Sequence, residues 1–258
     1  MQNRHMLTCP VCGNTEWTAV YKIGQWDIGE CIVCGFARIN PLPARESRPE
    51  HYSEERIIKR NVKKKTPLQR FSRAMKRLSN RAIKRNKSEI FYNKFLHYLP
   101  PRSKVLDVGC GDGSFLRLAK KQFACTGIEI SEYLAALARK QDDIKVMVGN
   151  FLATDFANEK YGGITLISLL EHLDDPMQAI KKCFDLMDNG GVLLMKTVNY
   201  GCLNRRIKRE GWTGFRPPDH IIYFNPSNLK RLLSKIGFTK IKISAWAFND
   251  NMYCDAWK

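Results

Sequence analysis

No apolar run in this chain approaches the roughly 18 residues that a membrane-spanning helix needs. Its first residues carry no apolar core of the kind that directs secretion. Both absences point to a cytoplasmic protein. Histidine is scarce, with five residues in 258, so an imidazole base has few candidates. His5, His51 and His97 precede the glycine-rich loop discussed below, which leaves His172 and His220. Acids are nearly missing from 53–88, where fourteen Lys or Arg face two Glu. That net +12 is two thirds of the whole chain's +18.

What is present starts with cysteine. There are nine, and four fall in two C-x-x-C-G turns, Cys9/Cys12 and Cys31/Cys34, with eighteen residues between them. This is the spacing of a closed four-thiolate zinc site, which leaves no open position for a water. The segment between the turns holds Trp17, Val20, Tyr21, Ile23 and Trp26, enough for a small hairpin. A redox C-x-x-C is the alternative, and the duplication argues against it. Cys110, Cys125, Cys183, Cys202 and Cys254 are scattered, as small buried apolar residues are. Unpaired thiols fit a reducing compartment.

Residues 105–115 carry the strongest functional signal. Val105, Leu106 and Val108 form a short apolar strand that runs into Gly109, Gly111 and Gly113. Phe115, Leu116, Leu118 and Ala119 then repeat at helical spacing. A strand, glycine loop and helix in this order hold nucleotide-like ligands. The dinucleotide pattern would require glycine at position 114, and Ser114 stands there. Asp107 and Asp112 flank the loop, where they would repel a pyrophosphate. They suit a ligand carrying an ammonium and a sulfonium, which is S-adenosylmethionine (SAM). The next strand ends in Glu129, placed to accept hydrogen bonds from ribose hydroxyls. Ser131 reads as an N-cap. A third strand over 144–148 leads to Gly149-Asn150-Phe151. Phe151 reads either as core or as a ring beside adenine, with Asn150 at the adenine edge.

These stretches, with LLEHLDDP at 169–176 and the strand GGVLLMKTVN at 190–199, resemble the class I SAM-dependent methyltransferases. Asn150 stands where that family usually has Asp, and Tyr161-Gly162 where it has Phe-Asp. The resemblance implies a Rossmann-like α/β fold with a seven-stranded sheet. It also implies a cofactor site of Asp107, Gly109, Cys110, Gly111, Asp112, Gly113, Phe115, Glu129, Asn150, Phe151 and Leu169. The N-terminal cysteine module followed by Asn40-Pro-Leu-Pro and His51-Tyr-Ser is similar to a bacterial subgroup that often methylates nucleotide-sugars, glycans or secondary metabolites. The implied organisation is a zinc ribbon over 1–45, a basic helical linker over 46–100 and a methyltransferase domain over 101–258.

Methyl transfer at a sulfonium needs an aligned acceptor and a place for its proton. The resemblance places Glu171 and His172 after strand four, where the loop opens toward the methyl group. His172 reads either as the base or as a residue that only hydrogen-bonds backbone around the site, and Glu171 as orienting it or binding acceptor. Ser168, not an acid, stands one turn earlier, so no divalent metal is expected there. The stretch from Trp212 to Phe224 holds Arg216 and His220 and is the second candidate for acceptor chemistry, with His220 either a base or acceptor clamp or, the favoured alternative, a residue that fixes the loop. Asn225 reads as the cap of a helix over 226–236, ended by Gly237. The linker reads as a solvated helical face, a surface for anionic lipid or glycan, or, less favoured, a nucleic-acid contact. Two rival functions stay open. One is RNA or protein methylation through the linker, and the other is SAM-dependent regulation without catalysis.

Overall fold

The computed structural model describes residues 8–43, 87–140 and 144–258. Nearly all of the basic segment 53–88 lies outside the described residues, as does His51-Tyr-Ser.

Three strands open the chain: β1 (Trp17–Ile23), β2 (Trp26–Cys31) and β3 (Ala37–Asn40). The first two form the expected hairpin, with Ile23 opposite Trp26. The third was not anticipated. Helix α1 (Lys87–Tyr98) follows and buries Phe91 and Phe95. Phe95 meets Phe115 and Phe123, and Tyr98 donates to Asp255 at 3.0 Å. Residues 87–98 therefore pack into the catalytic body, twelve residues of it assigned by sequence to the linker.

The main sheet is built from β4 (Lys104–Val108), β5 (Ala124–Glu129), β6 (Lys145–Val148), β7 (Tyr161–Ile167), β8 (Met187–Val198), β10 (Lys240–Ser244) and β11 (Asn251–Trp257). Its order is β10-β11-β8-β7-β4-β5-β6. Strands β8, β7, β4, β5 and β6 are parallel, and β11 alone runs against its neighbours. Chain order runs from β4 through β5 to β6 on one side, then returns to β7 and β8 on the other. That reversal opens a crevice at the carboxyl end of β4, where ligands bind in such sheets.

Helices cover both faces. On one lie α2 (Ser114–Ala119) and α3 (Glu132–Lys140), and on the other α4 (Pro176–Leu186) and α6 (Pro226–Ile236). The short α5 (Leu203–Lys208) lies between β8 and β9 (Ile222–Tyr223). Asn225 caps α6 by accepting from the Asn228 N–H at 2.9 Å, and Asn228 returns the bond to the Asn225 N–H. Gly237 ends that helix at φ 118°. No helix among the described residues is long and apolar enough to cross a membrane.

The cysteine module is welded to this body. Strand β9 adds to the N-terminal sheet, giving the order β1-β2-β3-β9, with Ala37 opposite Tyr223. The Tyr200 hydroxyl donates to Glu30, and the Asn228 side chain donates to the Cys34 carbonyl. Ile28, Phe36 and Ile39 share one buried cluster with Leu166, Tyr223 and Leu229. The cysteine module thus packs onto the methyltransferase body and shares its core.

Candidate functional site

Glycine shapes the loop after β4 at two points. Gly113 has φ 76°, and a Cβ there would sit 2.9 Å from Ala138 Cβ. Gly127 faces the loop from β5, where a Cβ would meet Leu116 at 2.6 Å and Cys110 Sγ at 2.8 Å. Larger side chains at either position would push α2 and α3 off the sheet.

Asp107 lies buried one residue before the end of β4, and accepts from Thr165 Oγ1 at 2.6 Å. Burial pushes its carboxyl up to about 7; the Thr165 bond opposes this and the Glu129 charge adds to it. Glu129 ends β5. One oxygen accepts from the Gly111 N–H at 2.8 Å, the other from the Ser131 N–H at 2.9 Å. Each oxygen keeps a lone pair for a ribose hydroxyl. Asp112 accepts from the Ser114 N–H at 3.1 Å at the start of α2. Phe115 and Cys110 are buried beneath the loop, and Leu169 lies against Gly109. Asn150 is exposed, its side-chain oxygen accepting from the Leu152 N–H. Phe151 packs edge-on to Phe156, with the Lys182 ammonium 5.2 Å from its ring centre. Its ring is largely covered, as a core residue's is.

Across the crevice, the turn 170–172 after β7 meets the loop before β9. Glu171 is buried and accepts from Thr197 Oγ1 at 2.8 Å, while its carbonyl accepts from the Ile221 N–H. His172 and His220 lie edge to face, 4.9 Å between ring centres. Their other bonds differ. His172 Nδ1 lies 2.7 Å from the Asp219 carbonyl, which can only accept, so the proton sits on Nδ1 and Nε2 is a base. Burial holds His172 below its ordinary pKa, with the Glu171 charge opposing. His220 is fully buried. Its Nδ1 donates to the Gly214 carbonyl at 2.8 Å, and its Nε2 accepts from Arg216. Burial, and then the neighbouring His172 and Arg216, push His220 down to about 3. Both its nitrogens are engaged, which leaves none to take a proton from an acceptor.

Lys196, near the end of β8, escaped the sequence reading. Its ammonium donates to Ser168 Oγ at 2.8 Å, and burial pushes it down to about 8 against the pull of Glu171. The signal was there: one lysine after the apolar run 192–195 inside a buried strand. Glu171, His172 and His220 also bring their ligand atoms within 4.8 Å of one another. Arg216 and Lys196 face that cluster, and their charge opposes a bound cation.

The four ribbon cysteines converge as their spacing predicts. All four sulfurs lie within 4.8 Å of one another, with Cys9–Cys34 and Cys12–Cys31 each at 3.5 Å. Zinc–thiolate bonds of about 2.3 Å would set tetrahedral sulfurs about 3.8 Å apart. The donor set and its spacing fit zinc.

A model of the family described as "Methyltransferase domain" matches residues 70–243. A ubiquinone biosynthesis O-methyltransferase of Coxiella burnetii is 36% identical over 101 residues, which are 37% of this chain and 43% of that protein. Its counterpart in Idiomarina loihiensis is 28% identical over 165 residues, 57% of this chain and 65% of that protein. The chain thus spans less than two thirds of the length of either relative. Among solved structures, magnesium protoporphyrin IX methyltransferase from Synechocystis PCC 6803 with bound SAH superposes at TM-score 0.60. It is 15% identical and covers 83% of this chain and all of its own. That likeness is one of fold.

Proposed function

The chain belongs to the methyltransferase domain family, and on that premise we propose that it moves the methyl group of SAM to an oxygen or carbon of a small-molecule acceptor. Buried Asp107 and Glu129 at adjacent strand ends carry this reading. Asp107 answers the cationic methionine end and Glu129 the ribose hydroxyls, with Gly109, Gly111 and Gly113 giving close backbone approach. For a hydroxyl acceptor, oxygen attacks the methyl carbon, the carbon–sulfur bond breaks, and S-adenosylhomocysteine leaves. The acceptor proton passes to His172 Nε2. Glu171 and Thr197 stiffen the turn that carries His172, and His220 braces the loop above it. Zinc on Cys9, Cys12, Cys31 and Cys34 locks the ribbon. Hydroxyl-bearing intermediates of ubiquinone biosynthesis, the pathway in the names of the O-methyltransferase relatives, and nucleotide-sugars are the first acceptors to try. Incubating them with protein and SAM should give a mass gain of one methylene unit in one class. No gain in any class, with no S-adenosylhomocysteine formed, would overturn catalysis.

Two binding results should follow. Glu129→Ala should weaken SAM binding by about 1–3 kcal/mol, roughly 5–150-fold, as ribose hydroxyls go unpaired. Calorimetry giving the same Kd for both proteins would remove Glu129 from the site. The second result is a pH dependence. A cationic ligand binds the ionised form of Asp107, and the free carboxyl titrates near 7. Below that pH, binding must first expel a proton. SAM affinity should therefore fall as pH drops below 7, by up to about tenfold per unit, with proton release on binding. Asp107→Asn should abolish the slope. A flat profile in the wild type would show that Asp107 does not face the cation.

A further inference from the structure

Ile207, Trp246 and Phe248 are 68%, 79% and 67% exposed, the three most exposed large apolar side chains among the described residues. They belong to one mount. Trp246 and Phe248 sit on the turn between β10 and β11. The Leu203 N–H donates to the Ala247 carbonyl at 2.6 Å, and Asn204 Nδ2 donates to the Phe248 carbonyl at 2.7 Å. Helix α5 is thereby fixed to the turn, and Ile207 lies one helical turn beyond Leu203. Asp250 anchors the base, accepting from Trp212 Nε1 at 2.8 Å, Thr213 Oγ1 at 3.0 Å and Asn204 Nδ2 at 3.1 Å. A rigid mount that holds large apolar groups in water calls for a partner.

The charge around it selects the partner. Arg206, Lys208 and Arg209 are exposed beside Ile207. Glu210 lies 3.9 Å from Arg209, and Asp250 is turned inward onto its donors. An aromatic pair, an aliphatic residue and outward cations match the boundary of an anionic bilayer, where rings enter the acyl edge and cations meet headgroups. Position adds a reason. The turn follows the carboxyl end of β10, and β11 begins with Asn251 opposite Val198, the carboxyl end of β8. The wedge thus stands on the edge of the sheet that carries Asp107, Glu129 and the His172 turn. We propose that Ile207, Trp246 and Phe248 seat the protein on an anionic lipid surface with this edge turned toward the membrane.

The test uses the full chain and vesicles of phosphatidylcholine alone or mixed with phosphatidylglycerol. Wild type should co-sediment with the mixed vesicles, less so at high salt. The double variant W246S/F248S should reduce partitioning roughly tenfold or more, and R206E/K208E should reduce it mainly at low salt. Brominated lipid should quench tryptophan emission in wild type, and Trp246→Phe should remove most of that quench. SAM calorimetry on each variant checks that the fold is intact, and it is also the separate measure of the methyl-donor site. Three outcomes would overturn the wedge. One is absence of wild-type sedimentation. Another is sedimentation that both double variants leave unchanged, which would move the contact elsewhere. The third is a concentration-dependent dimer lost in W246S/F248S without vesicle binding, which would make the patch a contact between two copies.

Discussion

His172→Ala should cut turnover by about 10²–10⁴-fold while SAM affinity stays within a few-fold, the usual weight of a positioned base. The prediction rests on hydrogen-bond direction. The Asp219 carbonyl fixes the proton on Nδ1, so Nε2 carries the lone pair. Lowered basicity from burial keeps the ring neutral near pH 7, ready to accept. His220→Ala should behave differently. It removes the bond that the Gly214 carbonyl accepts and the one that Arg216 donates to His220 Nε2. The expected loss there is stability and acceptor KM, through the 212–224 loop, more than the pH profile of kcat. A His172→Ala protein that is correctly folded and keeps near-full turnover at neutral pH would leave catalysis to alignment alone.

Cys31→Ser should bring zinc content well below one per chain and lower the melting temperature by many degrees. Structural zinc is worth about 10–16 kcal/mol in isolated small modules, so even a fraction is large beside a typical domain stability of about 5–15 kcal/mol. The damage should spread in one direction. Cys31 ends β2, β2 pairs with β3, and β3 pairs with β9. Amide exchange should therefore rise through 221–224 and around His220, while β4, β5 and SAM affinity change little. Metal analysis finding no zinc in freshly purified, reduced wild type would contradict the assignment. Exchange confined to residues 8–40 in the variant would contradict the welded interface.

Sequence revealed most of the catalytic sheet because its signals are local. The strand, glycine loop and helix of 105–119 need only neighbours in the chain, and Asn225 with Gly237 marks α6 at both ends. The cysteine pairs were readable for the same reason. The junction between ribbon and body was not, because its sheet pairing uses only two residues, Ile222 and Tyr223, against a strand more than 180 positions earlier. No periodicity appears in a two-residue strand. Sequence ranks His172 above His220 only by its place at the end of a core strand. Only the carbonyls of Asp219 and Gly214 and the Arg216 guanidinium, set by loop geometry, separate a histidine with a lone pair to offer from one fully engaged. Lys196 was hidden inside a strand motif, and the bond from the Ser114 N–H that sets Asp112 at the start of α2 has no sequence signal of its own.

On the proposed function, the glycine loop beside Asp107 takes a cationic nucleoside and refuses pyrophosphate. Isothermal titration of the zinc-loaded full chain with SAM, S-adenosylhomocysteine and NAD, near pH 7.5, tests that directly. One site per chain is expected for SAM and S-adenosylhomocysteine, both weakened by Glu129→Ala, and no heat with NAD. Binding of NAD without SAM would contradict it.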